Sequence, residues 1–149
     1  SVDDLTFGDT KEGSLGIRMA PSFRLKGKAA KGSALNSDGV AGKSVWGKRA
    51  SWTSYWAPLK EEEIGISLFD HPSNPRHPTW WHARDYGLVA ANPFGVSNFE
   101  GKPKGTGDMV LRKGEEITFR YRILFHVGNP VDSEVSQKYL EWSVQKKSG

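Results

Sequence analysis

Residues 115–127, EEITFRYRILFHV, carry the clearest strand signal in the sequence. One set of alternate positions is wholly apolar: Ile117, Phe119, Tyr121, Ile123 and Phe125. The other set is mostly polar: Thr118, Arg120, Arg122, Leu124 and His126. This period of two predicts a long β-strand with two unlike faces. With residues 108–111 as a first strand and Lys113-Gly114 as a turn, the stretch predicts a β-hairpin.

Shorter apolar stretches extend the same pattern along the chain. Strands are predicted at residues 15–20, 50–56, 64–69 and 86–91, and loops at the glycine-rich stretches 26–43 and 95–107. Residues 133–144 predict one helix, capped by Asp132 or Ser133, with an apolar stripe of Val135, Tyr139 and Trp142. Strands do not alternate with helices, so we expect an all-β antiparallel sandwich, a single domain over residues 1–149.

Composition narrows the possible functions. The 149 residues include no cysteine, which excludes disulfides, thiolate metal sites and a cysteine nucleophile. No apolar run reaches the roughly 18–20 residues of a membrane helix, so no membrane partner is expected. The net charge of +4 is mild, and the lysine-rich loop 26–43 has no interleaved aromatic residues. A nucleic-acid partner is therefore not expected either.

The most unusual segment is residues 70–82, DHPSNPRHPTWWH. Its prolines, Pro72, Pro75 and Pro78, recur every third residue, which is the period of a polyproline II helix. A straight helix would place the prolines on one stripe. It would place His71, Asn74, His77 and Trp80 on a second, and Asp70, Ser73, Arg76 and Thr79 on a third. A stiff loop that carries such side chains is typical of a binding or catalytic site.

Three hypotheses follow, and the first is a carbohydrate-directed protein. Its stacking surfaces would be Trp80, Trp81 and Trp46, because tryptophan rings commonly stack on sugars. Its hydrogen-bonding groups would be Arg76, Asn74, His77 and Asp70. Either His82 or His71 would act as a general acid or base. Asp70 is also one of four carboxylates, with Asp9, Glu12 and Asp85, from which an acid–base pair on a glycosidic bond could be drawn.

The second hypothesis is a mononuclear copper or zinc enzyme that uses His71, His77 and His82, with His126 as a further ligand. In a straight polyproline II helix, His71 and His77 would lie roughly 19 Å apart at about 3.1 Å per residue, too far for one metal ion. The site therefore requires a turn at residues 73–75 or a ligand from elsewhere. The third hypothesis is a structural module in which Arg76 and Arg84 pair with Asp70 and Asp85 and the tryptophans are core.

Four segments resemble one bacterial family, known as "methane oxygenase PmoA-like". They are FGDTKEGSLGIRMAP (7–21), VWGKRASWTSYW (45–56), IGISLFDHPSNPRHPTWWHARDYGLVAANPFG (64–95) and GEEITFRYRILFHVG (114–128). The resemblance implies a secreted or periplasmic protein of polysaccharide-degrading bacteria and a β-sandwich of the galactose-mutarotase type. Members are usually about twice as long, with this region as their C-terminal half. The resemblance carries over no catalytic residue. Without the N-terminal half, this region either forms a complete site or exposes sheet edges at which a second copy could pair.

Overall fold

The computed structural model describes residues 1–145, which contain nine antiparallel strands, two short α-helices and two 3-10 helices, Pro21–Phe23 and Gly42–Val45, joined by loops. The strands are β1 (Leu5–Phe7), β2 (Leu15–Arg18), β3 (Ser33–Asn36), β4 (Trp52–Leu59), β5 (Glu62–Asp70), β6 (Trp80–Ala83), β7 (Leu88–Asn92), β8 (Met109–Leu111) and β9 (Tyr121–Val127). The helices are α1 (Val96–Glu100) and α2 (Val135–Ser143). The last four residues of the predicted domain lie outside the described residues.

The strands form a four-stranded sheet, β3-β4-β5-β9, a three-stranded sheet, β2-β7-β6, and a separate pair, β1-β8. Alternate residues of the two larger sheets face each other and form the main core. Tyr55 and Leu68 come from the four-stranded sheet, and Trp81 and Val89 come from the three-stranded sheet. All four are at most 1% exposed. The prediction of an all-β antiparallel sandwich with a helix near the C-terminus is confirmed.

Helix α2 covers the other face of the four-stranded sheet. Val135 and Tyr139 pack against Trp52 and Phe69, and Trp142 lies at the margin of the same cluster. The predicted apolar stripe of this helix is therefore confirmed. The predicted cap is wrong, because Glu134 occupies the cap position with a left-handed φ of 52°. The Ser133 hydroxyl instead lies 2.7 Å from the carbonyl oxygen of Asn129 in the preceding turn.

Strands β2, β4, β5 and β7 confirm four of the predicted strands within a few residues. Both predicted loops contain regular structure. Strand β3 lies within residues 26–43, where Ala34 and Asn36 point inward and are 2% and 1% exposed. Helix α1 lies within residues 95–107. Small and polar side chains gave these elements too weak an apolar pattern to be recognised.

The predicted hairpin of residues 108–127 is wrong. Strand β8 pairs with β1, and β9 pairs with β5. Residues 115–120, between β8 and β9, are not strand. At the end of this segment the Arg120 N–H donates to the Asn74 side chain at 2.6 Å, and the Arg120 carbonyl accepts from the His71 N–H at 3.2 Å. These backbone groups are therefore satisfied by the loop after β5 and not by a hairpin partner.

No helix among residues 1–145 is long and apolar enough to cross a bilayer.

Gly65 lies opposite His126 in the β5–β9 register, and a Cβ atom at this position would collide with the His126 ring. We expect Gly65→Ala to lower the free energy of unfolding by about 1–3 kcal/mol, since the ring is buried and overpacking strains its surroundings. Urea denaturation measures the loss. Gly8→Ala is the matched control, because nothing lies within 4 Å of its added Cβ. Equal stability of the two variants would contradict this packing.

Candidate functional site

The Asp70 carboxylate organises the segment that the sequence singles out. It is 0% exposed at the end of β5 and accepts three hydrogen bonds from residues of the following loop. Asn74 Nδ2 donates at 2.7 Å, His77 Nδ1 lies at 2.7 Å, and the Thr79 N–H donates at 2.8 Å. A buried carboxylate needs such partners to offset its lost hydration. All three hydrogen-bond partners of this carboxylate belong to the loop, so Asp70 acts as a folding centre for residues 71–79.

This loop turns back on itself, so the predicted straight polyproline II helix is wrong. The Asn74 N–H donates to the His71 carbonyl at 2.9 Å, and the His77 N–H donates to the Asn74 carbonyl at 3.1 Å. Two successive turns thus replace the extended rod. Arg76 has a left-handed φ of 61°, and the His77–Pro78 peptide bond is cis. Proline spacing alone could not reveal this, because the turns depend on the buried carboxylate.

Two arginines fix the outer side of the loop through backbone carbonyls. Arg76 donates to the carbonyl oxygens of Pro93, Gly107 and Asp108 at 2.9, 2.6 and 2.8 Å. Arg49 donates to the carbonyl oxygen of Pro78 at 2.8 Å and to that of Arg76 at 3.1 Å. The predicted Arg76–Asp70 ion pair is therefore wrong. The Arg76 guanidinium and the Asn74 amide thus donate to groups of the protein itself. Neither side chain is therefore free to bind a ligand, as the first hypothesis required.

Burial contradicts the predicted sugar-stacking role of two tryptophans. Trp81 is 0% exposed, lies in the main core and donates its indole N–H to the Ala50 carbonyl at 2.9 Å. Trp80 is 5% exposed, lies 4.4 Å from the Arg49 guanidinium and donates to Glu100 at 3.0 Å. A sugar cannot stack on either ring while these contacts hold. Their role is the structural one that the third hypothesis describes.

His77 is the loop side chain that combines a buried partner with access to solvent. Its side chain is 18% exposed, and Nδ1 faces the buried Asp70 oxygen at 2.7 Å. The acceptor fixes the proton on Nδ1 and leaves Nε2 as the outward atom. Such an Asp–His pair can orient an imidazole for proton transfer. The same hydrogen bond also has a structural effect, because it attaches the turn at His77 to the end of β5.

The histidines predicted as metal ligands do not share one centre. His71 Nδ1 accepts from the Ser73 N–H at 3.1 Å, and His71 lies edge-on to Trp142 of α2. His82 Nδ1 accepts from the Trp46 indole N–H at 3.3 Å on the outer face of the other sheet. Among residues 1–145, no group of three or more His, Asp or Glu side chains is placed to hold a metal ion. The predicted His71–His77–His82 site is therefore wrong, as is a common catalytic site of His71 and His82.

Burial lowers the pKa of both histidines that were predicted to act in acid–base chemistry. For His71, desolvation is the main cause and the nearby Arg120 charge adds to it. For His82, desolvation again dominates and the Arg84 charge adds to it. Since Nδ1 accepts a hydrogen bond in each ring, the neutral form carries its proton on Nε2. Both rings are therefore neutral hydrogen-bond donors at neutral pH.

His126 lies on the opposite side of the sandwich from His82, beneath α2, where the sequence could not place it. Its Nδ1 donates to the Gly128 carbonyl at 3.0 Å, and its Nε2 lies 2.9 Å from the Ser67 hydroxyl oxygen. Ser67 in turn lies 2.9 Å from the Ser54 hydroxyl. A Ser–His contact resembles an activated nucleophile, but Ser67 is 0% exposed. The cluster joins β4, β5 and β9 to the turn before α2.

Asp9, another carboxylate considered for catalysis, also supports the backbone. It accepts from the N–H groups of Gly105 and Gly107 at 3.1 and 2.9 Å, and from that of Ser97 at 3.3 Å. Burial acts to raise the pKa of Asp9, but the hydrogen bonds led by that from Gly107 outweigh it, so the pKa lies below its usual value. The carboxylate stays ionised as an anchor for residues 97–107.

Trp46 is the predicted stacking residue that remains accessible. It is half-buried and lines a shallow cleft of about 170 Å³ with Lys43, Ala83, Arg84 and Asp85. Its ring is held edge-on to Phe99 of α1 at 5.4 Å, and its N–H is fixed by His82. Lys43 Nζ lies 3.9 Å from Asp85 Oδ2 across the cleft. Lys43 and Arg84 were not predicted as ligand residues here, because no sequence pattern links them to Trp46.

We expect Asp70→Asn to lower the free energy of unfolding by about 3–5 kcal/mol, because an NH2 group replaces one of the two accepting oxygens. Either Asn74 Nδ2 or the donors of His77 and Thr79 then face an N–H group in a buried site. Chemical denaturation measures the change. Asp3→Asn, at an exposed position, is the matched control and should leave stability within about 0.5 kcal/mol of wild type. A loss below about 1 kcal/mol for Asp70→Asn would contradict its role as the folding centre.

Stability should also depend on the charge of His126. Desolvation lowers its pKa below the unfolded value of 6.5. As the pH falls through 6.5, the unfolded chain therefore binds protons that the folded chain does not, and the free energy of unfolding decreases. We expect urea unfolding at about pH 5.5 to show lower stability than at about pH 7.5.

His71 and His82 titrate in the same direction, so the contribution of His126 is isolated by comparing wild type with His126→Gln. The variant should lose less stability between these two pH values. An identical loss in both proteins would show that His126 is not the buried neutral group described above.

The chain was compared with protein-family models, with curated proteins and with solved structures. A family of unknown function, DUF6807, matches residues 1–141. Searches of curated proteins and of solved structures found no match. The resemblance to PmoA-like proteins and to galactose-mutarotase folds therefore stays a prediction. Because the match spans nearly the whole sequence, the chain belongs to the DUF6807 family of unknown function.

Proposed function

We propose that this protein binds a carbohydrate in the cleft around Trp46, which we call the Trp46 cleft. The observation that carries the proposal is the exposed part of the Trp46 ring beside Lys43, Arg84 and Asp85. Sugar sites commonly consist of an aromatic side chain with a few polar groups around it. The aromatic ring stacks on the apolar C–H face of the sugar, and the polar groups bind the sugar hydroxyls.

The walls of the cleft favour binding without reorganisation. Phe99 and His82 hold the Trp46 ring, so little conformational freedom is lost when a ligand stacks on it. His82 is 3% exposed and neutral, which leaves it as a support for the ring. A larger depression at the β4–β5 turn is lined by Leu59, Lys60, Glu61, Glu62 and Ile64 and has no aromatic platform.

The test is a glycan array read with wild type, Trp46→Ala and Trp46→Phe. We expect wild type to retain at least one oligosaccharide, Trp46→Ala to lose it by tenfold or more, and Trp46→Phe to keep most of the affinity because a ring remains. Trp142→Ala is the matched control, since this half-buried tryptophan lies on α2, away from the cleft.

Circular dichroism confirms that each variant is folded. Wild type that retains no glycan, or Trp46→Ala that binds as well as wild type, would overturn the proposal.

A further inference from the structure

Strand β9 leaves one backbone edge without a partner. It is the last strand of the four-stranded sheet and pairs only with β5. Within residues 1–145, no other backbone hydrogen bond reaches Tyr121–Val127 from the opposite side. A strand edge of seven residues is long enough to template pairing with another strand.

The register shows which groups are free on that edge. The Gly128 N–H donates to the Glu63 carbonyl at 2.7 Å, and the His71 N–H donates to the Arg120 carbonyl at 3.2 Å. These bonds lie at both ends of β9 and continue its register with β5. Because antiparallel pairs alternate, even-numbered residues of β9 bond to β5 and odd-numbered ones direct their N–H and C=O groups outward. The outward groups therefore belong to Tyr121, Ile123, Phe125 and Val127. Among them, the Val127 carbonyl already accepts from the Ser133 hydroxyl at 2.5 Å and has one lone pair left for a partner strand.

The side chains of the same residues form an apolar surface. Ile123, Phe125 and Val127 are 39%, 70% and 64% exposed, which places them beyond the cover of the three-stranded sheet. They lie opposite Leu68, Ile66 and Ile64 of β5, so the surface continues the core outward. Among the four outward residues there is no proline and no charge, the features that usually protect a sheet edge.

We propose that a second copy of this chain pairs with β9 in antiparallel register about a two-fold axis through Leu124. This register places Tyr121 opposite Val127 of the second copy and Ile123 opposite Phe125. It pairs all four outward residues with outward residues, and each contact on that face is apolar. A shift by two residues in either direction leaves outward groups unpaired, so the strand is most complementary to itself in this register.

Charge does not oppose this arrangement. On the other face Arg122 would lie opposite His126 of the second copy. Burial lowers the pKa of His126 and leaves it neutral at neutral pH. Arg122 already lies 5.4 Å from the Trp142 ring of its own chain. The joined sheets would form one eight-stranded sheet in which the β9 edge of each copy is covered. This dimer does not depend on the Trp46 cleft.

The first experiment measures molar mass by sedimentation equilibrium over a wide concentration range. We expect wild type to reach twice the chain mass and Phe125→Lys to remain a monomer, because a buried lysine on the shared face has no partner. Leu140→Lys is the matched control, an exposed apolar residue of α2 that is 56% exposed, and should still dimerise. Wild type that stays monomeric throughout would overturn the proposal.

The second experiment tests the register and does not rely on the lysine variant. The chain has no cysteine, so Leu124→Cys introduces a single thiol at the proposed axis. In this register the two thiols face each other at a distance that suits a disulfide. We expect mild oxidation to give a covalent dimer of Leu124→Cys but not of Leu140→Cys. A dimer that Leu124→Cys does not cross-link would overturn the proposed pairing.

Discussion

The Asp70 carboxylate sits where three parts of the chain meet, and much of the structure around it depends on its hydrogen bonds. Its side chain holds Asn74, His77 and Thr79, while its own carbonyl accepts from the Tyr139 hydroxyl of α2 at 3.2 Å. The loop after β5, the start of β6 and the helix over the sheet are thereby linked. A buried carboxyl group is tolerated only when its neighbours satisfy its hydrogen bonds, so these contacts form together.

Because the loop folds around Asp70, the proline-rich segment of residues 70–82 is interpreted here as a structural corner. Histidine, arginine and asparagine in a stiff loop suggest a site, and the same residue types suit a corner that must satisfy many backbone groups. Arg76 and Arg49 illustrate the second use, because both guanidinium groups donate to carbonyl oxygens of neighbouring segments. The polar side chains of the corner are directed mostly inward, and the half-exposed tryptophan with polar neighbours lies elsewhere, in the Trp46 cleft.

Most of the sandwich could be predicted from the sequence, because β5, β7 and α2 carry strong local patterns that agree with their burial. Strand β3 and helix α1 could not be predicted, since Ala34 and the short Val96–Glu100 segment have little local signal and depend on tertiary pairing. The pairing of β9 with β5 could not be predicted from the sequence either. Turn residues near Gly114 suggested a hairpin, but β5 offers β9 a much longer register.

The candidate site was harder to predict than the fold. Trp46 was identified from residue type, whereas its neighbours Lys43 and Arg84 come together only through folding. Trp80 and Trp81 show the opposite case, because tryptophan serves equally as a stacking platform and as core, and only burial distinguishes the two roles. Histidine spacing likewise could not show that Ser73, Asp70, Trp46 and Ser67 each bind a different ring.

Hydrogen bonds to the ring nitrogens fix each histidine in a separate structural role, and His77 is held by Asp70. Long-range ¹H–¹⁵N correlation NMR at neutral pH reads which ring nitrogen carries the proton. We expect a proton on Nδ1 of His77 and His126 and on Nε2 of His71 and His82. An unprotonated Nδ1 on His77 would contradict it, because Asp70 would then have no donor from that ring and the corner would need another explanation.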